Sequence, residues 1–312
     1  MGQKEQIKEI SEKLEQGVKD IFESDNYKNY LLTMSKFYSC SLNNSILINM
    51  QKPGASLVAG FRKWEEMGRH VRKGEKSIKI LAPCIYKKEK ETDTDTNDGD
   101  NDKTKESEKV LTGFRVVSVF DVSQTEGEPI PGLVHTLDGT VDGYADFMEA
   151  LKEVSPVPIE FKKIEGSANG YFHLGDKNIV IDTDMSEMMN CKTTIHEIAH
   201  AILHDKDDGA EKDVDRHTKE VQAESVSYVV CQFYGLPTEN YSFGYIAGWS
   251  SGKDIKELKA SLNTIQQTAQ TIIKGIDQQL DIIKQSKQIQ PDKDKAISKD
   301  TTTKAHKRHV RR

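Results

Sequence analysis

The chain has 312 residues, 36% of them hydrophobic and 30% charged, and a mean hydropathy of −0.64. That is a soluble profile with apolar material for packed cores, and the length fits two domains of roughly 100–200 residues, or one large one. No stretch approaches the ~18 consecutive apolar residues of a membrane span, and the opening MGQKEQIKEISEKLEQ puts charges where a secretory signal needs its apolar core. Cys40, Cys84, Cys191 and Cys231 are scattered with no C-x-x-C pair, which argues against a disulfide framework and against a thiolate zinc knuckle. The expectation is a reduced, cytoplasmic protein with no membrane partner.

The first foldable block, residues 4–123, opens with a helix, since Ile7, Ile10, Leu14, Val18 and Ile21 recur at three- and four-residue spacing. Short strands are predicted at 56–59, 77–82, 85–86 and 114–120, the last alternating as FRVVSVF. The net charge of −6 hides strong local asymmetry: between Lys52 and Lys79 eight Lys/Arg face three Glu. Residues 88–109 then carry nine acidic groups against five lysines and no aliphatic or aromatic side chain. Such a run buries nothing and is predicted to be a disordered insert at a hairpin tip. It is not a calcium loop, because Asp98 stands where that loop needs Gly and Thr104 where it needs Glu. Residues 126–132 (EGEPIPG) read as a linker, giving a first domain over 1–128.

The second domain, 129–285, is predicted to begin with a helix near 144–154. Strands follow at 159–164, 171–174 and 178–182, then helices at 186–204, 216–234 and 254–284, the last with an apolar stripe at helical spacing. Residues 286–312 carry nine Lys/Arg against three Asp and read as a disordered basic tail.

The sharpest chemistry is His196-Glu197-Ile198-Ala199-His200. Residues four apart share a helix face, so both imidazoles can address one zinc ion at about 2.0–2.1 Å. Glu197, next to the first of them, cannot ligate with the same geometry, but it reaches a water activated by the ion and suits a general base. The uncharged residues Ile198, Ala199, Ala201 and Ile202 let the helix be buried under the site. A catalytic zinc needs a third protein ligand and one open position. Glu220 and Glu224, four apart on the predicted next helix, repel each other unless a cation relieves them, and either can serve.

H-E-x-x-H followed by E-x-x-A-E on a second helix resembles the gluzincin-type metallopeptidases, most closely the ImmA/IrrE-like group. The resemblance implies a zincin-like fold, one zinc ion, His196, His200 and Glu220 as ligands, and Glu224 buttressing a ligand histidine. Glu224 stands where Asp or Asn is commoner, which keeps it as the alternative ligand. His204 reads as a helix-end residue. His217, Tyr241 and Tyr245 are candidates for stabilising an oxyanion, and the strand at 178–182 for offering an edge to an extended peptide.

In the first domain, YSCSLNNSILI from Tyr38, VAGFRKW from Val58 and GRHVRKGEK from Gly68, with the later FRVVSVFDVSQTEGEPIP, resemble the N-terminal single-stranded-DNA-binding domain of ArdC-type antirestriction proteins. Arg62, Lys63, Arg69, Arg72, Lys73 and Lys76 suit phosphate contacts. Tyr38, Phe61 and Trp64 suit stacking on bases, while Phe61 and Trp64, three apart, also suit the core, Trp64 the more so. The overall expectation is an α+β chain: a small mixed α/β domain that holds single-stranded DNA, followed by a zinc metalloendopeptidase acting on a protein substrate for a mobile genetic element. Two rivals remain, a non-proteolytic DNA-protecting protein with a structural metal site and a regulatory peptidase that cuts a repressor.

Overall fold

Helix α1 (Gln3–Ile21) forms where the spacing places it and buries Ile10, Leu14, Val18 and Ile21. The structure, a computed structural model, describes residues 2–90, 106–130, 141–205, 214–236, 238, 241 and 243–289. Two helices that the sequence reading did not predict follow. Helix α2 (Ser24–Lys36) buries Tyr27, Tyr30, Leu31 and Met34. Helix α3 (Leu42–Gln51) starts on Ser41, whose hydroxyl accepts the Asn44 N–H. A buried Tyr30–Ser45 hydroxyl pair at 2.9 Å ties α2 to α3.

The chain continues through β1 (Val58–Ala59), α4 (Phe61–Glu66), β2 (Arg69–Val71), β3 (Ile78–Lys90), β4 (Glu106–Asp121) and β5 (Thr125–Gly127). Strand β4 lies between β1 and β3, and β2 pairs with β5. The β3–β4 ladder runs antiparallel from Ile78↔Val119 to Lys90↔Glu106, with a register shift between Cys84 and Ile85. Residues 88–90 and 106–109 of the acidic run are therefore strand, and 91–105 lie outside the described residues. Ile78 and Val119 close over Phe37, Ile48 and Ala55 to make the core beneath this sheet. Along β3, the side-chain amide of Asn44 both donates to the Leu81 carbonyl and accepts its N–H, each at 2.9 Å. Gln51 does the same for Lys79 at 2.8 and 2.9 Å. The two amides satisfy backbone groups that a neighbouring strand would otherwise claim.

A polar lock holds the end of β4. Asp121, 1% exposed, accepts the N–H groups of Ser56 at 2.8 Å, Leu57 at 3.2 Å and Ser123 at 2.9 Å. These bonds outweigh its desolvation and lower its pKa. Arg69 donates from Nε to the Thr125 hydroxyl at 2.8 Å, from one terminal nitrogen to the Thr125 carbonyl, and from the other to the Gly127 and Glu128 carbonyls. Arg72 donates to the Ser123 carbonyl at 2.6 Å. Gly127 sits at φ +129, and a Cβ there would strike the Gly68 carbonyl, so β2 and β5 approach at a distance only glycine permits.

The second part contains α5 (Val141–Val154), β6 (Ile159–Phe161), β7 (Gly170–His173), β8 (Asn178–Ile181), α6 (Glu187–His204) and α7 (Arg216–Phe233), with α8 (Ile246–Ser250) and α9 (Ile255–Ile289) after them. The chain divides into two compact units, Met1–Pro131 with Phe243–Lys259, and Gly132–Ser242 with Ala260–Arg312. In the first, Phe243 meets Tyr27 at 5.2 Å between ring centroids and Trp249 meets Phe22 at 5.7 Å. In the second, the Tyr234 hydroxyl lies 3.0 Å from the Ile273 carbonyl and 2.8 Å from Asp277, pinning α7 to α9. Residues 286–289 belong to α9, and the rest of the predicted tail, 290–312, lies outside the described residues. No helix among the described residues is long and apolar enough to cross a membrane. The chain is α+β, as the sequence implied, but residues 243–259, placed by the sequence reading in a second domain over 129–285, group with the first unit.

The strand at 178–182 does not offer the edge expected of it: β8 is the centre of its sheet, parallel to β6 and antiparallel to β7. Its Ile179, Val180 and Ile181 are all buried, as in a strand covered on both faces. Strand β7 is an edge of that sheet instead.

Candidate metal centre

Helix α6 starts on Ser186, whose hydroxyl accepts the Met189 N–H at 3.3 Å, and buries Ile195, Ile198 and Ala199 completely. Helix α7 starts on Asp215, which accepts the Thr218 N–H at 3.0 Å. The helices pack together, and the Ser227 hydroxyl donates to the Lys192 carbonyl at 3.2 Å. This packing brings a local pair on α6 to a partner on α7.

His196 Nε2 and His200 Nε2 lie 3.1 Å apart. One Glu220 oxygen lies 3.7 Å from the first and 3.6 Å from the second. Donors bound tetrahedrally at about 2.0–2.1 Å lie about 3.3 Å from one another, so this triangle fits a single ion such as zinc. Among the described residues these three groups gather within 4.8 Å, which leaves a fourth position to solvent. Glu224 takes a different place: its carboxylate faces the other nitrogen of His196, Nδ1, at 3.4 Å. A carboxylate there holds the tautomer that presents Nε2. Burial works against a charged His196, but Glu220 and Glu224 outweigh it and raise the imidazole to about 9. The same histidines hold Glu220 far below the usual carboxylate range. An imidazole with two carboxylates against it is a place where positive charge is favoured, and a divalent ion satisfies that preference for the whole cluster.

Glu197 is 7% exposed. Burial raises its pKa, against the opposing pull of His196, His200 and a backbone hydrogen bond from Phe172 on β7. A carboxyl moved toward neutrality beside a metal position is suited to accept and return a proton.

A cleft of about 470 Å³ opens over the centre, lined by His196, Glu197, His200, Glu220 and His204 together with β7. Gly170 lets β7 lie against α6, since a Cβ there would meet Thr193 at 2.7 Å and the Val180 carbonyl at 3.0 Å. His204 is buried with its ring 5.4 Å from that of His200 and stands outside the triangle. Of the oxyanion candidates, Tyr241 is buried with its hydroxyl 2.7 Å from Ser227. His217 is not among the residues lining the cleft, and Tyr245 belongs to the first unit. Tyr171, Leu174, Arg216 and Lys219 do line it. The sequence reading missed all four, because nothing local marks a residue as facing a cleft that only the packing of β7 and α7 creates.

Of the residues expected to hold DNA, Arg62, Lys63, Lys73 and Lys76 are exposed, Lys63 in an ion pair with Glu66 at 3.0 Å. Arg69 spends most of its donors on the polar lock, whereas exposed Arg72 divides its bonds between the Ser123 carbonyl and Glu75. Phe61 is 50% exposed and Tyr38 half-buried, whereas Trp64 is fully buried with its indole N–H on the Phe120 carbonyl at 3.0 Å.

Residues 3–120 match the N-terminal domain of anti-restriction factor ArdC, and residues 153–229 match the IrrE N-terminal-like domain. An uncharacterized protein of Bacillus anthracis, pXO2-81, is 28% identical over 311 residues, covering 89% of this chain and 52% of its own length. The chain thus spans about half the length of that curated relative. Two crystal structures of the antirestriction ArdC protein from the R388 plasmid are also similar. The metal-free form shares 20% identity at a TM-score of 0.46, covering 77% of this chain and 83% of the other. The Mn(II)-bound form shares 18% at 0.48, covering 76% and 84%.

Proposed function

We propose that this chain, which joins an ArdC-type N-terminal domain to an IrrE-like peptidase-family domain, is a metal-dependent endopeptidase. In our reading it is carried on a module that holds single-stranded DNA and serves a mobile genetic element against restriction. The observation that carries the enzymatic half is the triangle of His196, His200 and Glu220 at ligand spacing, with buried Glu197 beside it in one cleft. When bound, a divalent ion supplies polarisation of a peptide carbonyl and acidifies water. We assign it as one zinc, although this donor set also accepts manganese or cobalt.

Each side chain then has one task. His196 and His200 present Nε2, and Glu220 presents an oxygen from the facing helix. Glu224 keeps the His196 ring in place from Nδ1. Glu197 holds the proton that leaves the attacking water and returns it to the departing amine. Among the described residues β7 pairs with β8 alone, so its outer edge is where an extended peptide would add main-chain hydrogen bonds. For DNA, the match of residues 3–120 supports binding, with Arg62, Lys63, Lys73 and Lys76 as phosphate contacts and Phe61 and Tyr38 as stacking groups.

The test is Glu197→Gln. It is expected to keep its metal and lose peptide cleavage; if wild type and variant behaved alike in cleavage and in protection of DNA, the protein would be a binding protein only.

A further inference from the structure

The space around the metal centre has two lobes of unlike charge. Both share Gly170, His196 and Glu197. One, about 300 Å³, is bounded by Asn169, Met189, Thr193 and Glu224, and by Lys192, whose ammonium is committed to the Tyr241 ring at 3.6 Å. The other, about 470 Å³, is bounded by Tyr171 and Leu174 and by Arg216 and Lys219. Building on the peptidase reading, we propose that the substrate is a peptide segment with an acidic side chain on one side of the scissile bond only, gripped by Arg216 and Lys219.

Three observations carry this. Arg216 lies four residues before Glu220 on α7, on the same face and about 6 Å along the axis at 1.5 Å per residue. At about 3.3 Å per residue of extended chain, that reaches a side chain about two residues from the bond over the centre. Next, Arg216 and Lys219 both stand in the first turn of α7, after the Asp215 that caps the helix, and both line this lobe. Last, Tyr171 and Leu174, 36% and 52% exposed, line the same cleft and give apolar surface suited to the methylene stem of a Glu or Asp. A phosphodiester strand would satisfy the cations too. The observations favour peptide because the β7 edge in the same cleft offers main-chain groups that only a peptide pairs with.

The experiment is cleavage of a mixed peptide library by the full metal-loaded chain. In parallel, anisotropy measures binding of matched Glu- and Lys-containing peptides to the Glu197→Gln chain. The expected result is enrichment of Asp or Glu about two residues from the cut on one side. The Glu peptide should bind at least about tenfold tighter than the Lys peptide, and Arg216→Glu/Lys219→Glu should abolish or reverse that preference. The milder Arg216→Gln/Lys219→Gln pair, checked for unchanged metal content, should lose it without reversal. Cleavage with no charge preference, or a preference that survives both pairs, overturns this inference and leaves the peptidase reading standing. No cleavage of any peptide by wild type overturns the peptidase reading; the anisotropy arm then decides the grip alone, and equal binding of the two peptides overturns it. Competition by a single-stranded oligonucleotide that needs Arg216 and Lys219 would assign the lobe to nucleic acid and overturn the peptide.

Discussion

The centre on α6 and α7 and the basic stretch of the first unit use charge in opposite ways. At the centre, His196, His200 and Glu220 converge on open space, and their mutual attraction leaves room for an ion. In GRHVRKGEK, Arg69 turns inward onto the carbonyls of 125–128, exposed Arg72 bonds the Ser123 carbonyl and Glu75, and Gln124 donates to the Lys76 carbonyl at 2.8 Å. The stretch most recognisable as a DNA-binding signature is thus in good part the clasp that closes its own fold. A charge-rich motif can be conspicuous because the fold needs it, and the cations left facing solvent are then the ones to test for ligands.

The largest effects should fall at the centre. His196→Ala or His200→Ala should remove the metal and with it all cleavage, read by elemental analysis and a peptide assay. Glu197→Gln should keep full metal content and lower kcat by about 10²–10⁴-fold, the usual range for losing a general base. If its metal were lost as well, Glu197 would belong to the ligands and the division of labour drawn here would fail.

The clasp should answer in stability instead. Asp121→Asn leaves buried N–H groups poorly matched and should cost about 1–3 kcal/mol in urea unfolding at neutral pH. Because the folded-state pKa of Asp121 is lowered, its contribution is present above the ordinary carboxylate value of about 3.9 and fades as pH falls through the lower folded value. The gap between wild type and Asp121→Asn should therefore narrow on acidification; a gap that widened would contradict the assignment. Arg69→Ala should likewise cost about 1–3 kcal/mol, whereas Lys73→Ala/Lys76→Ala should stay within about 0.5 kcal/mol per site. The smallest effect sharpens the contrast most: that lysine pair should reduce the salt slope of single-strand binding by about 0.7 per lost phosphate contact. An unchanged slope would remove those lysines from the interface.

Much of this is legible in the sequence itself. Helices α1 and α9 declare themselves by apolar period, α5, α6 and α7 lie within three residues of where the sequence places them, and the i, i+4 histidines need only one helix to meet. Helix α2 carries an apolar stripe at 27, 30, 31 and 34, masked in the sequence by the polar residues between them. The centrality of β8 was not readable, because Asn178–Ile181 is short and apolar and its neighbours are set by the sheet. Nor was the inward turn of Arg69, which depends on residues more than fifty positions away.

The most direct test of the central claim is the metal content of purified wild type beside Glu220→Ala and Glu224→Ala. The account predicts one divalent ion per chain in wild type, loss of that ion in Glu220→Ala, and a weakened but present ion in Glu224→Ala. Full occupancy in Glu220→Ala with loss in Glu224→Ala would contradict it, as would a wild-type chain that takes up no metal.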